Sequence, residues 1–292
     1  MSPCTPATPV ASSNVDRRES LGSRYDIAEI THVPVSTQPV GAAVSETIRH
    51  PFQQVLPLSV RTGLLLIALF TTARVALVLQ ANVTGSYQAT SIIFIAMAVL
   101  PFVILTRPGR RRIGLVRPSR WRWIPVALVA GATCAAAVFA LGSALYGDGL
   151  ENPFVYISQS YAAVPTDLSG QDRLIFFSIF AIIGMTFSPI GEELLYRGVV
   201  HESLATGWGN RKAAAAEAGA FAIAHLAHFG IVYVAGSWGF LPVPALLWVA
   251  AMFLSSLVFY GFRVLSGSLL GAIIAHAGFN LVMNFVIFYV IL

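Results

Sequence analysis

Glu192 and Glu193 stand side by side in a segment, 191–198, that borders a long apolar run, and Arg197 follows Glu193 by four residues. His225 follows Phe221 by four, His228 lies three further on, and His276, Asn280 and Asn284 recur every fourth residue in the last apolar run. A charge at mid-membrane costs roughly 2.5–3.5 kcal/mol on insertion scales. Carboxylates, imidazoles and carboxamides at such depth therefore mark a functional site by default, because packing alone would select leucine. The types present match the needs of acyl hydrolysis. Glu192 takes a proton from water, His225 holds that water, and His276 with Asn280 donates hydrogen bonds to the tetrahedral oxyanion. No serine or cysteine lies in a convincing nucleophile setting, so water attacks directly. This reading requires no cofactor. The alternative is a zinc ion held by His225 and His276, with Glu192 as ligand or base and His228 as a further candidate ligand.

The neighbours of these residues have supporting readings. Adjacent helical residues point about 100° apart, so Glu192 and Glu193 cannot share one task. Glu193 and Arg197, at i and i+4, form an internal ion pair that offsets the burial of both and leaves Glu192 to face a cavity. Phe221 shares a helix face with His225. Asn284 reads as interhelical glue. Other hydrolase signatures fail: the segment 201–205 begins as His-Glu but ends in alanine, and neither GxSG nor GxGD occurs.

The elements that must position these groups are membrane helices. Of 292 residues, 56% are hydrophobic and only 11% charged, and the mean hydropathy is +0.74; soluble domains carry about 25% charged residues. The net charge of +5 comes from basic residues at the ends of apolar runs, which marks topology rather than a nucleic-acid surface. The fold expected is an all-α polytopic bundle of about seven spans, range six to eight: 62–81, 89–106, 124–146, 173–200, 213–235, 242–262 and 267–291. A kink is expected at Ser188-Pro189. Arg74, near the middle of the first span, should face the bundle or snorkel. Residues 1–54 read as a loosely ordered or disordered cytoplasmic tail, 55–169 as the first helices with their arginine-rich loop, and 170–292 as the catalytic helical domain. Cys4 and Cys134 share no metal or redox spacing.

Orientation follows from the loops. The segment 107–123 holds seven arginines and no acid, whereas 147–172 holds Asp148, Glu151, Asp167 and Asp172 and no base. The first is expected in the cytoplasm together with the N-terminus, in a multi-pass protein of the cell membrane. His225 and His276 then lie ~18 Å and ~14 Å from the cytoplasmic ends of their helices, so the site is expected to open toward the cytoplasm.

Glu192-Glu193-x-x-x-Arg197, Phe221-x-x-x-His225 and His276-x-x-x-Asn280, in that order on successive spans, resemble the CPBP family. That family comprises the CAAX prenyl proteases of the Rce1 type and the bacterial bacteriocin-processing and self-immunity proteins. The resemblance covers about residues 170–292 and implies an intramembrane endopeptidase. It assigns water activation to Glu192 and His225, and the oxyanion to His276 and Asn280. The family is often labelled a metalloprotease, while its structural picture favours a glutamate-dependent, metal-free reaction. The implied partners are the bilayer and a peptide or membrane-protein substrate, prenylated in the eukaryotic relatives. One lysine against seventeen arginines suggests a bacterial chain. A non-proteolytic immunity or scaffold protein, or a small transporter using the same pocket, is the competing reading; transporters usually show internal repeats, and none is found here.

Overall fold

The computed structural model describes residues 1, 47–161, 164–165 and 168–292. Most of the predicted tail, 2–46, lies outside the described residues. Its end, from Thr47, is held in place: Ile48 is fully buried and pairs with Leu105, and Arg49 donates to the Leu105 carbonyl at 3.3 Å.

The helices are α1 (Val60–Thr84), α2 (Gln88–Ile104), α3 (Arg107–Arg112), α4 (Trp123–Tyr146), α5 (Pro153–Ser158), α6 (Gly170–Glu192), α7 (His201–Ala224), α8 (Pro242–Ser266) and α9 (Leu269–Val286). Strands β1 (Ile231–Val234) and β2 (Ser237–Phe240) form an antiparallel hairpin. The protein is a helical membrane bundle. Five helical stretches are long and apolar enough to cross a membrane, and α2, at 17 residues, falls just short. Side chains set several boundaries. Ser59, Thr106, Asn152, Ser169 and Ser268 each accept a backbone N–H at a helix start. Gly85 and Gly267 close α1 and α8 in the left-handed conformation.

Two predicted spans differ in detail. The helix runs through Pro189, and the irregularity comes afterwards, as a π-helical turn over Glu193–Val200. It continues into α7, where Gly209, at φ 73 and ψ 165, reverses the chain. His201 on one side of the reversal faces Glu217 on the other at 3.3 Å. The predicted span 213–235 is therefore not one helix. α7 stops at Ala224, a 3-10 turn carries His225–Ala227, and the rest becomes β1.

Contacts sort the ends of the helices onto two faces. On the first face lie α3 and the segment that follows it. Arg112 pairs with Glu202 at 2.6 Å, and the Ser119 amide donates to the Ser266 carbonyl at 3.0 Å. On the opposite face lie α5, the hairpin and the end of the chain, where the Tyr233 amide donates to the Tyr156 hydroxyl at 2.8 Å. The central seam joins α4 to α9. A Cβ on Gly131 would overlap the Ala275 carbonyl, and one on Gly278 the Leu128 carbonyl. Backbones approach this closely in membranes only where side chains are absent.

Candidate active site

Glu192 ends α6 and is fully buried. Its carboxylate forms an ion pair with Arg74 of α1, accepts from the Ser188 hydroxyl at 2.8 Å, and lies 3.7 Å from His276 Nε2. Glu193, one residue on, points elsewhere. Its Oε1 meets Arg197 at 3.1 Å and accepts from His276 Nδ1 at 2.8 Å. The predicted Glu193–Arg197 pair is present, and it also holds a catalytic candidate. Arg197 donates further to Ser256 Oγ at 2.5 Å, and its guanidinium lies 4.5 Å from the centre of the Phe221 ring. A fully buried cation thus finds a carboxylate, a hydroxyl and an aromatic face.

The histidines are fixed at one nitrogen each. His225 Nδ1 lies 2.6 Å from the Phe221 carbonyl, which only accepts, so Nδ1 carries the proton and Nε2 presents a lone pair. That lone pair accepts from Arg74 Nη2 at 3.2 Å, and His228 Nε2 accepts from the same nitrogen at 3.3 Å. His276 is held by Glu193 through Nδ1, stacks on Phe259 at 4.9 Å, and turns Nε2 toward Glu192. Asn280, one turn along α9, donates from Nδ2 to the Gly184 carbonyl at 2.7 Å, which leaves its second amide hydrogen for another acceptor. Asn284 accepts from the Tyr161 hydroxyl at 3.0 Å, bridging α9 to the opposite-face segment as glue would. Tyr161 lies outside the spans, and burial pushes its phenol up.

These groups surround a cavity of about 180 Å³ whose wall includes Arg74, Ser188, His225, His276, Asn280 and Asn284. Three of the four predicted catalytic residues reach it directly. Glu192 does not: it lies behind the wall, and the Ser188 hydroxyl stands between its carboxylate and the open space. His225 does not touch Glu192 either; Arg74 joins them. Glu192, expected to face the cavity, instead stands behind Ser188. A single buried carboxylate without a cation would be too costly, so α1 supplies one.

Arg74 belongs to none of the motifs. Its sequence signal is a lone arginine mid-span in an apolar helix, and no spacing links α1 to α6 and α7. Its guanidinium occupies the space among Glu192, His225 and His228. Among the described residues, no three His, Cys, Asp or Glu side chains converge as a metal-binding set.

The turn after Glu192 packs through Leu194, Leu195, Tyr196, Val199 and Val200, all buried. The wall of the cavity continues to Ile157 and Tyr161, toward the face that carries α5 and the hairpin.

With this geometry in view, the comparison with known families is informative. Residues 174–282 match the family model described as Type II CAAX prenyl endopeptidase Rce1-like. The matched stretch begins in α6, ends in α9, and contains Glu192, Glu193, Arg197, Phe221, His225, His276 and Asn280, in agreement with the CPBP resemblance. No curated protein and no solved structure matches the chain. The Rce1-like match supports a CAAX-type intramembrane protease in general terms, acting on a peptide or protein substrate in a membrane. Arg74 lies outside the Rce1-like segment.

Proposed function

We propose that this chain is an integral membrane endopeptidase of the glutamate type, with its arginine-rich face and N-terminus in the cytoplasm. One observation carries the reading: Glu192, paired with a cation, accepts from Ser188 and lies 3.7 Å from His276, and these two residues line one cavity with His225 and Asn280.

Water entering beside Ser188 gives a proton to Glu192, and its oxygen attacks the peptide carbonyl carbon. The π electrons move to the carbonyl oxygen. His276 and the free amide hydrogen of Asn280 receive that oxyanion. For His276 to donate, Nε2 must carry a proton, and the resulting charge is matched by Glu193 at 2.8 Å and Glu192 at 3.7 Å. The intermediate collapses, the C–N bond breaks, and Glu192 returns its proton to the amine. Arg74 keeps Glu192 compensated in the resting protein, and His225 presents a lone pair that orients the water once Arg74 moves aside.

The test is purified wild type against Glu192→Gln, His225→Ala and His276→Ala in detergent with a peptide library. Each variant is expected to lose about 10²- to 10⁴-fold in cleavage rate. Equal cleavage by all four would overturn the protease reading and favour an immunity, scaffold or transport role for the pocket. In the same assay a chelator is expected to leave the rate unchanged. Loss restored only by Zn²⁺ would replace the metal-free mechanism.

A further inference from the structure

The segment from Arg107 to Trp123 holds seven arginines and no acid. Topology alone would be served by arginines on a loose connection. This one is stitched to the turn between α8 and α9. The Leu269 amide donates to the Gly114 carbonyl at 2.9 Å, Ser268 Oγ to the Val116 carbonyl at 2.5 Å, and the Ser119 amide to the Ser266 carbonyl at 3.0 Å. Arg120 Nη2 donates to the Val264 carbonyl at 2.9 Å, and Arg263 Nη2 to the Ile113 carbonyl at 3.2 Å. Four of the seven arginines have partners inside the protein. Arg110 donates to the Leu105 carbonyl, Arg112 pairs with Glu202, Arg120 holds Val264, and Arg122 lies over the Trp123 ring. Arg107, Arg111 and Arg117 are exposed and have no hydrogen bond or ion pair among the described residues. Near them in the chain, Phe102, Val103, Val116 and Trp121 are exposed as well.

We infer that Arg107, Arg111 and Arg117 bind the headgroups of anionic phospholipids in the leaflet that borders this face, and that the bound headgroups steady the α8–α9 turn. Exposed guanidinium groups without a counter-charge attract phosphate and can meet its oxygens two at a time. The one acid that the segment reaches, Glu202, is already taken by Arg112. The apolar neighbours commit the site to a lipid rather than to free phosphate. Trp121 stands between Arg120 and Arg122, and Phe102 and Val103 are exposed on the last turn of α2, just before the arginines begin. An aromatic side chain among cations, next to apolar side chains, matches the layering of headgroup over acyl chain. The link to the site runs through the stitching. α9 starts at Leu269 and carries His276 two turns on, so a fixed segment 113–120 fixes the start of the helix that bears His276 and Asn280. Neither proteolysis nor the sidedness of the chain enters: the site rests on charge, exposure and these hydrogen bonds.

The test titrates the purified full chain in detergent with dioctanoyl phosphatidylglycerol, dioctanoyl phosphatidylcholine or inorganic phosphate. Bound lipid is read by native mass spectrometry and stability by thermal melting. The wild type is expected to prefer phosphatidylglycerol. Each arginine is expected to supply about a fivefold preference, so Arg111→Gln with Arg117→Gln should lower it about 25-fold. That double variant keeps five of the seven arginines to hold topology, and both substituted side chains are exposed, so its melting temperature without lipid should match the wild type. Arg61→Gln removes an exposed cation at the start of α1 and should leave the preference unchanged. Equal binding of the two lipids by the wild type, or an equal loss in Arg61→Gln, would overturn the site. Inorganic phosphate that competes at the concentration of the lipid would overturn the lipid assignment. Phosphatidylglycerol is also expected to raise the melting temperature of the wild type but not of the double variant; binding without that rise would overturn the link to α9. No readout here needs turnover, so a protein that binds the lipid as expected but cleaves nothing refutes the protease and leaves the lipid site standing.

Discussion

At the residue scale, the site is a chain of compensated charges. Arg74 balances Glu192, and Arg197 balances Glu193. Removing one partner of a buried pair costs about 3–5 kcal/mol, because the other charge is left stranded. Arg74→Met is therefore expected to lower thermal stability by that order. The double variant Arg74→Met with Glu192→Gln should recover most of the loss while remaining inactive. A melting series in detergent separates the two effects: a double variant no more stable than the single would show that Arg74 does not act through Glu192. Glu193→Gln should behave differently from Glu192→Gln. It loosens His276 at Nδ1 and leaves Arg197 with Ser256 and the rings, so the variant should retain partial cleavage. Both acids and Arg197 were legible from spacing, because an i, i+4 pair on a helix is a local property. Arg74 was visible only as an oddity, since its partners lie more than a hundred residues away in the chain.

At the element scale, the reversal at Gly209 and the seam at Gly131 hold the motif-bearing helices in register. Gly209 has a backbone conformation essentially confined to glycine, and a Cβ there would meet no atom within 4 Å. Gly209→Ala therefore reports backbone strain alone and should cost of order 1–3 kcal/mol. Gly219→Ala, also with open space around the new Cβ but inside regular helix, should be neutral or slightly stabilising. Equal melting temperatures for the two would refute the account. Gly131→Val places atoms where the Ala275 carbonyl sits, and it should separate α4 from α9, with loss of folded protein in gel filtration. Apolar run lengths identified the helices, and capping serines agree with their starts. What run length did not disclose is that the apolar stretch after Lys212 divides into helix, turn and strand. Hydropathy reports burial, and β1 is apolar for the same reason that α7 is.

At the scale of the whole molecule, the Rce1-like segment does not by itself hold every residue of the candidate site, because Arg74, the partner of Glu192, lies outside it. A chain beginning at residue 170 would contain Glu192, His225, His276 and Asn280 but no Arg74. It should cleave nothing alone and should regain activity when residues 1–169 are co-expressed as a separate chain. Activity in the isolated C-terminal part, measured on the same peptide library, would contradict the role given to Arg74. The first helices thus do more than anchor, because α1 delivers a cation to Glu192.

The membrane character of this chain, its helical class and most of the residues that converge at the candidate site were legible in the sequence alone. These follow from local rules: run length against bilayer thickness, four-residue spacing on a helix, and the cost of charge in lipid. Three matters were decided only by the tertiary structure: that Glu192 is held behind Ser188, that Arg74 stands among the acid and two histidines, and that the cavity runs toward Tyr161. Each depends on which helices pack together and how far they are rotated, and no periodicity within one helix encodes its neighbour.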